Sequence, residues 1–271
     1  MEPARCNAVV LFIALMKRVA VLKSLTGRTC AKVTTAITGL LAVSCSAPAA
    51  PVVELFTSQG CYSCPPADEF LAELIEQHPD VVALEFHVDY WDDLKYGAAG
   101  IWKDPFSSSK YSTRQRSYNQ QPLLGRPGVY TPQMIVNGVT AQVGISRTAV
   151  IAALAVQAPP ATLKLTAESD QINIAVSGPV GTDAVVWLAE FDLFHETMVS
   201  AGENQGVKMQ NHHVVTGLRR VGMAPATGDT ISVSYRQQNN RSCAVLIQSP
   251  ETGAMQAAAY CPNHSPAANE G

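Results

Sequence analysis

Two cysteines separated by two residues, Cys61-Tyr62-Ser63-Cys64, carry the most specific chemistry in this chain. They follow an apolar run, Val52-Val53-Glu54-Leu55-Phe56, and precede Pro65-Pro66 and a helical pattern. A thiol pair at a strand-to-helix turn can close a small ring, one sulfur attacking a disulfide and the other resolving the mixed intermediate. Cys61, nearer the exposed start of the helix, is the expected nucleophile, and Cys64 the resolving thiol. Pro65-Pro66 removes two amide donors from the helix start, leaving those of Ser63 and Cys64 to lower a thiol pKa. Two other readings of the pair stay open. A purely structural disulfide across so short a loop would constrain the unfolded chain little. A structural zinc site would draw on further ligands, often a second CxxC, and the chain has none.

Other residues bear on the same chemistry. Glu54, on the first strand, is a candidate proton acceptor near Cys64, or else points to solvent. His87 ends the second strand, where functional groups gather in open α/β sheets. It is a candidate proton shuttle or, with the two thiolates, a copper ligand; the plain alternative is a satisfied structural histidine. His212-His213 has no companion ligands in sequence and reads as surface or strand packing. Nine of the eighteen aromatic residues fall between Phe86 and Tyr130, either as a lid for a polypeptide substrate or as a small local core.

The elements that must position these groups follow from periodicity. Residues 52–57 read as a strand and 65–77 as an amphipathic helix, with Phe70, Leu71, Leu74 and Ile75 on one face. His78-Pro79 stops that helix. Residues 81–88 form a second, buried strand. A long insertion follows, partly helical between Asp104 and Tyr118. Residues 133–143 read as a hairpin about Asn137-Gly138, since both turn positions need positive φ. A helix from Ser146 to about Val156 ends at Pro159-Pro160. Beyond residue 160 the pattern changes to short strands at 162–166, 171–176, 184–191, 230–235, 244–248 and 254–260, punctuated by Gly, Asp, Asn and Ser.

The first 49 residues differ again. Basic residues precede an apolar segment, Val33 to Val43, too short to span a bilayer comfortably. Ala47-Pro48-Ala49 supplies a cleavage site, so 1–49 is the expected signal peptide and the protein is expected in the periplasm or secreted. Leu41-Ala42-Val43-Ser44-Cys45 offers a lipoprotein alternative, with membrane attachment only if Cys45 is lipidated. Cleavage leaves four of the seven cysteines, an even number that suits an oxidising compartment. A net charge of −3 offers no electrostatic case for a nucleic-acid partner. Protein thiols or disulfides are the expected partners, and no cofactor or metal is called for.

Cys243 and Cys261 suggest a second disulfide. A three-residue loop, Glu251-Thr252-Gly253, puts glycine where a left-handed residue is needed. Each pair stepping outward then sums to 504, which sets Cys243 opposite Cys261 at a Cα separation of about 4.5–5.5 Å, within disulfide range.

The stretch Val53-Glu54-Leu55-Phe56-Thr57-Ser58-Gln59-Gly60-Cys61-Tyr62-Ser63-Cys64-Pro65-Pro66-Ala67-Asp68, with His87-Val88-Asp89-Tyr90-Trp91-Asp92 and Tyr130-Thr131-Pro132-Gln133, resembles a family of secreted bacterial proteins known as domain of unknown function 1223. The resemblance implies a thioredoxin-like fold in which Thr131-Pro132 is cis and faces the cysteines, its backbone positioning a partner in strand-like fashion. The fold expected is therefore α/β: a thioredoxin-like domain at 50–158 with a long aromatic-rich insertion, then an antiparallel, sandwich-like β domain at 159–271 with a short disordered tail. The expected function is thiol–disulfide exchange. A periplasmic copper chaperone and a non-catalytic binding module are the alternatives.

Overall fold

A computed structural model describes residues 50–156, 159–226, 228–236 and 238–262. The expected signal peptide with Cys45, and the C-terminal tail, lie outside the described residues. Strand β1 (Val52–Thr57) leads through the cysteine loop into helix α1 (Pro65–Gln77), and β2 (Val82–His87) follows. The insertion contributes α2 (Ser109–Tyr118) and a two-residue strand, β3 (Leu124–Gly125). The hairpin β4 (Gln133–Val136) and β5 (Thr140–Val143) precedes α3 (Arg147–Val156). Seven strands then run without a helix among the described residues: β6 (Thr162–Glu168), β7 (Gln171–Ser177), β8 (Val185–Met198), β9 (Lys208–Met223), β10 (Thr230–Ser234), β11 (Arg241–Gln248) and β12 (Met255–Tyr260).

These strands overturn the α/β expectation. The molecule is mostly β, and strands from both halves of the chain share one mixed sheet of nine, in the order β12-β11-β8-β9-β2-β1-β4-β5-β3. A typical thioredoxin-like domain followed by a separate sandwich is not what forms. The physical reason is the ribbon of β8 and β9, 14 and 16 residues long, which carries the C-terminal strands up to the free edge of β2. A smaller sheet, β10-β7-β6, packs on the far half.

Alternation along the strands makes three cores. Val53 and Leu55 of β1 face α1 and α3, against Leu71, Leu74 and Val150. Val52 and Phe56 point to the opposite face, where α2 supplies Tyr111 and Tyr118 and the core continues to Phe191 and Leu246. Val186, Leu188, Val245 and Ile247 turn away from that core to meet Ile172 and Ile174 of the small sheet.

Two turns show how local chemistry sets this geometry. Asn137 (φ 49°) and Gly138 (φ 74°) make the β4–β5 turn with both central residues at positive φ. Gly138 is required twice, because a Cβ there would collide with the backbone of Gly253. At the other end, pairs from Ala244↔Tyr260 to Ile247↔Ala257 sum to 504, but Gln248 pairs with Met255. Ser249 N–H donates to Ala254 O at 2.9 Å, so the loop differs from the three-residue one expected. A bulge at Gln256 restores the register, and its side chain accepts from Gly181 N–H at 2.7 Å. Cys243 and Cys261 are bonded, with Cα atoms 5.2 Å apart and Cys261 N–H donating to Cys243 O at 2.8 Å.

That bond closes a loop of sequence separation 18 within the core between the sheets. Replacing both cysteines by alanine is expected to lower unfolding free energy by about 3 kcal/mol, mostly through a less constrained unfolded chain. Urea unfolding without reductant checks this, and the Cys61–Cys64 bond should form as before.

Candidate active site

The cysteine loop leaves β1 at its carboxyl end. Ser58 O accepts from Cys61 N–H at 3.1 Å, and Cys61 O accepts from Cys64 N–H at 3.1 Å, a double turn that brings the two Cα atoms to 5.4 Å and permits the Cys61–Cys64 bond. Cys64 is the N-cap of α1, with prolines at the first two helical positions, where missing amides cost least. Ala67 and Asp68 amides donate back to Cys64 O. The Cys64 amide is therefore committed to the loop and does not remain free to activate a thiol, unlike the sequence expectation. A different donor is present: Ser63 Oγ lies 3.4 Å from Cys61 Sγ.

The loop is covered. Tyr62 is 75% exposed, yet Cys61 is only 1% exposed and Cys64 fully buried. The cover is the tip of the β8–β9 hairpin, residues 199–207. Asn204 Nδ2 donates to the carbonyls of Gln59 and Cys61, both at 2.9 Å. Tyr62 N–H donates to Glu203 Oε2 at 2.8 Å. Gly202 N–H donates to Ala99 O at 2.9 Å, seating the tip on the insertion. The phenol of Tyr96 rises above its usual pKa range, first through burial and then through the Glu203 charge.

Thr131-Pro132 is a cis peptide. Trp91 bridges it to the loop: its indole N–H donates to Thr131 Oγ1 at 2.8 Å, and its Cβ stands against Gly60. Gly144 bridges it to the helix, since a Cβ there would meet both Pro132 and Ala67 below 3 Å. Trp91 also stacks on Tyr96. Tyr111 and Tyr118 belong to the core.

Behind the loop lies a buried polar row. Glu85, His87 and Asp104 are each almost wholly inaccessible. His87 Nδ1 is 2.7 Å from Asp104 Oδ2, and its Nε2 is 3.1 Å from Glu85 Oε1, close enough to pair charges though off the line of a hydrogen bond. Asp104 Oδ2 also accepts Gln59 N–H at 2.7 Å, and Gln59 Nε2 donates to Asn211 Oδ1 at 2.9 Å. Burial alone would lower the His87 pKa, but Asp104 and Glu85 outweigh it and hold the ring well above the usual imidazole range. Asp104 is likewise driven up by burial but brought below the usual carboxylate range by His87 and its hydrogen bonds. The two flanking carboxylates thus favour the protonated ring. Its Nδ1 is bonded to Asp104 and its Nε2 faces Glu85, and no group of three His, Cys, Asp or Glu among the described residues is arranged to hold a metal ion.

Glu54 is neither beside Cys64 nor in solvent. It is buried on the α2 face of β1, where Arg114 Nε donates to Oε1 at 2.7 Å and Tyr118 donates to Oε2. The buried carboxyl on the cysteine side is Asp68, one turn along α1 from Cys64, whose Oδ1 accepts from Thr57 Oγ1 at 2.7 Å. Burial, then the nearby Glu85, raises its pKa well above the carboxylate range. Its Oδ2 has no partner among the described residues, nor do the nearby Gln59 Oε1 and His212 Nδ1. Asp68 and His212 share a groove of about 360 Å³ between α1 and β9, running beside Pro65. His213, unlike a surface residue, is 1% exposed, with Nδ1 3.0 Å from Ala83 O.

The family described as Protein of unknown function (DUF1223) matches residues 52–248, a span that takes in the cysteine loop, the cis peptide, the polar row and the covering hairpin. The chain belongs to this family. A crystal structure of a protein from Agrobacterium tumefaciens is 31% identical, matching over 81% of this chain and 98% of that one with a TM-score of 0.64. HBP35 of Porphyromonas gingivalis is 14% identical over 83% of this chain and 79% of that one, at a TM-score of 0.55, and shares the fold. No match is found among curated proteins.

Asp68 was within reach of sequence reasoning: an acid on the first turn of α1 sits on the apolar face of that helix beside Leu71 and Ile75. Asn204 and Glu203 carried no signal, because only tertiary folding brings them to Cys61.

Two expectations follow from this geometry. Because the folded His87 pKa is raised, its contribution is complete below the unfolded value of about 6.5 and is lost as pH rises through the folded one. His87→Gln leaves Glu85 and Asp104 uncompensated and should cost about 3–5 kcal/mol near neutral pH, a gap that narrows toward alkaline pH as wild type loses its own imidazolium. Urea unfolding across that range checks it; a small or pH-independent gap contradicts it. Asn204→Ala removes two hydrogen bonds from the cover, each worth roughly 1 kcal/mol, and should speed reduction of Cys61–Cys64 by dithiothreitol by up to about 30-fold. An unchanged rate would mean that the hairpin tip does not limit access.

Proposed function

We propose that this protein is an exported thiol–disulfide oxidoreductase with Cys61 and Cys64 as its reactive pair. The observation that carries the reading is a bonded pair at the carboxyl end of β1, outside the three hydrophobic clusters, held under a cover made of a few hydrogen bonds. A bond of sequence separation 3 offers little stabilisation of its own, whereas reversible opening uses it.

In the reduced form the Cys61 thiolate attacks one sulfur of a partner disulfide. A Cys61–partner bond forms and the partner's other sulfur leaves as a thiolate. Cys64 then attacks Cys61 Sγ, closing the intramolecular disulfide and releasing the second partner thiolate, so two electrons pass to the partner. Run backwards through the same mixed disulfide, the oxidised pair takes two electrons from a partner dithiol. Ser63 Oγ donates to Cys61 sulfur as charge develops there. Asp68, whose pKa burial raises, is the proton partner of the buried Cys64 in place of Glu54, which is engaged by Arg114. The exposed Tyr62 and the half-buried Thr131, steadied by Trp91, give the partner its first contacts. Two bonded cysteine pairs suit an oxidising compartment, which supports export.

Cys61→Ser is expected to abolish disulfide exchange in an insulin-reduction assay, and Cys64→Ser to accumulate mixed disulfides that resist release. Wild-type activity in the Cys61→Ser protein would refute the proposal.

A further inference from the structure

A second site lies on the α2 face of the sheet and involves none of the residues assigned to thiol exchange. Helix α2 packs on this face against Phe56 of β1 and Phe86 of β2. Beside it, strands β8, β9 and β11 leave a cavity of about 570 Å³, within the size range of small-molecule sites. Its two walls differ in chemistry. Trp187, Leu218 and Val185 from the sheet, with Pro250 from the β11–β12 turn, make an apolar wall. Helix α2 makes the other with Lys110, Arg114 and small hydroxyl residues, Thr113 and Ser117.

Arg114 is the unusual member. It is 7% exposed, and its guanidinium lies within 6 Å of the ring centres of Phe86, Tyr118 and Trp187. A guanidinium carries five N–H donors. Nε donates to Glu54 Oε1 at 2.7 Å, Nη2 to Tyr118 Oη at 2.9 Å, and Nη1 reaches Gln248 Oε1 at a weak 3.4 Å. Two N–H groups have no acceptor among the described residues, on a side chain that forms part of the cavity wall. Glu54 balances the Arg114 charge from behind. Lys110, at the exposed edge, forms no ion pair among the described residues, and no acidic residue lines the cavity. The cavity therefore has one uncompensated positive charge, a planar donor with spare hydrogens, and an aromatic and aliphatic wall opposite.

From this charge and shape we infer that the cavity binds a small monocarboxylate with an apolar body. The carboxylate takes the spare Arg114 hydrogens in the planar geometry that guanidinium favours, with Lys110 at the entrance. The apolar body lies along Trp187 and Leu218, from which it displaces water. An amine of equal length meets the wrong charge, and an alcohol cannot pair with the two donors.

The test is isothermal titration of the full chain with octanoate, with octylamine and 1-octanol as matched controls. Octanoate is expected to saturate at one equivalent, while octylamine does not saturate. Thr113 and Lys110 are exposed, so changes there leave the core intact. Thr113→Trp, which fills the cavity, should weaken octanoate binding by at least about tenfold, and Lys110→Glu by several-fold. Both variants should reduce at Cys61–Cys64 at the wild-type rate, which separates loss of this site from misfolding. Absence of saturable octanoate binding, equal binding of octylamine, or undiminished binding by Thr113→Trp would each overturn the inference.

Discussion

The carboxylate of Glu85 joins the two halves of this protein. It sits where β2 meets β9, and its one registered partner across that boundary is Val214. A boundary with so little backbone ladder needs side chains to close it. Glu85 Oε1 accepts from Asn211 Nδ2 at 2.7 Å, and Oε2 from His212 N–H at 2.9 Å. Two residues away, Tyr260 and His213 reach the backbone of Ala83. A fully buried carboxylate is costly unless paired and hydrogen-bonded, and here both hydrogen bonds it accepts come from β9 and fix that strand against β2. The His87 imidazolium completes the balance and carries the constraint on to Asp104 and the amide of Gln59.

The consequence for the cysteines is direct. The ribbon that crosses the boundary is also the ribbon whose tip covers Cys61. Asn211, in the seam, and Asn204, in the cover, lie seven residues apart on one hairpin, and both bond to Gln59. The cover is thus anchored at its base by buried bonds to the Glu85 carboxylate, and held at its tip by the two Asn204 bonds and one exposed bond from Tyr62 N–H to Glu203. Such a hairpin opens from the tip while the sheet stays intact.

Local chemistry was legible in the sequence and long-range pairing was not. Cys61-Tyr62-Ser63-Cys64, Asn137-Gly138 and the outward register of β11 and β12 depend on neighbours a few residues away, and patterns of that range can be read. Strand β9 went unread because Lys208–Met223 alternates poorly: it is polar at the seam, glycine-bearing at 217 and 222, and half exposed toward its end. The α/β reading failed for the same reason, since β1 to α3 alternate helix and strand locally while their sheet is completed by β9, whose seam residue Val214 lies far beyond the end of α3 at Val156. Glu54 was misplaced because β1 is buried on both faces, so alternation could not say which core a charged side chain enters. Arg114, the partner that decides it, lies in the insertion. Strands are legible in the pattern beyond residue 160, but local alternation does not reveal that four of them, β8, β9, β11 and β12, extend the first sheet.

The most direct test of the account is the reduction potential of Cys61–Cys64, measured by equilibrating the protein in glutathione buffers and quantifying each cysteine pair by mass spectrometry. A reversible two-electron transition between about −120 and −270 mV, the span of dithiol exchange proteins, with Cys243–Cys261 still oxidised, is the result predicted. A Cys61–Cys64 potential below about −300 mV, in the range of structural disulfides, would contradict it.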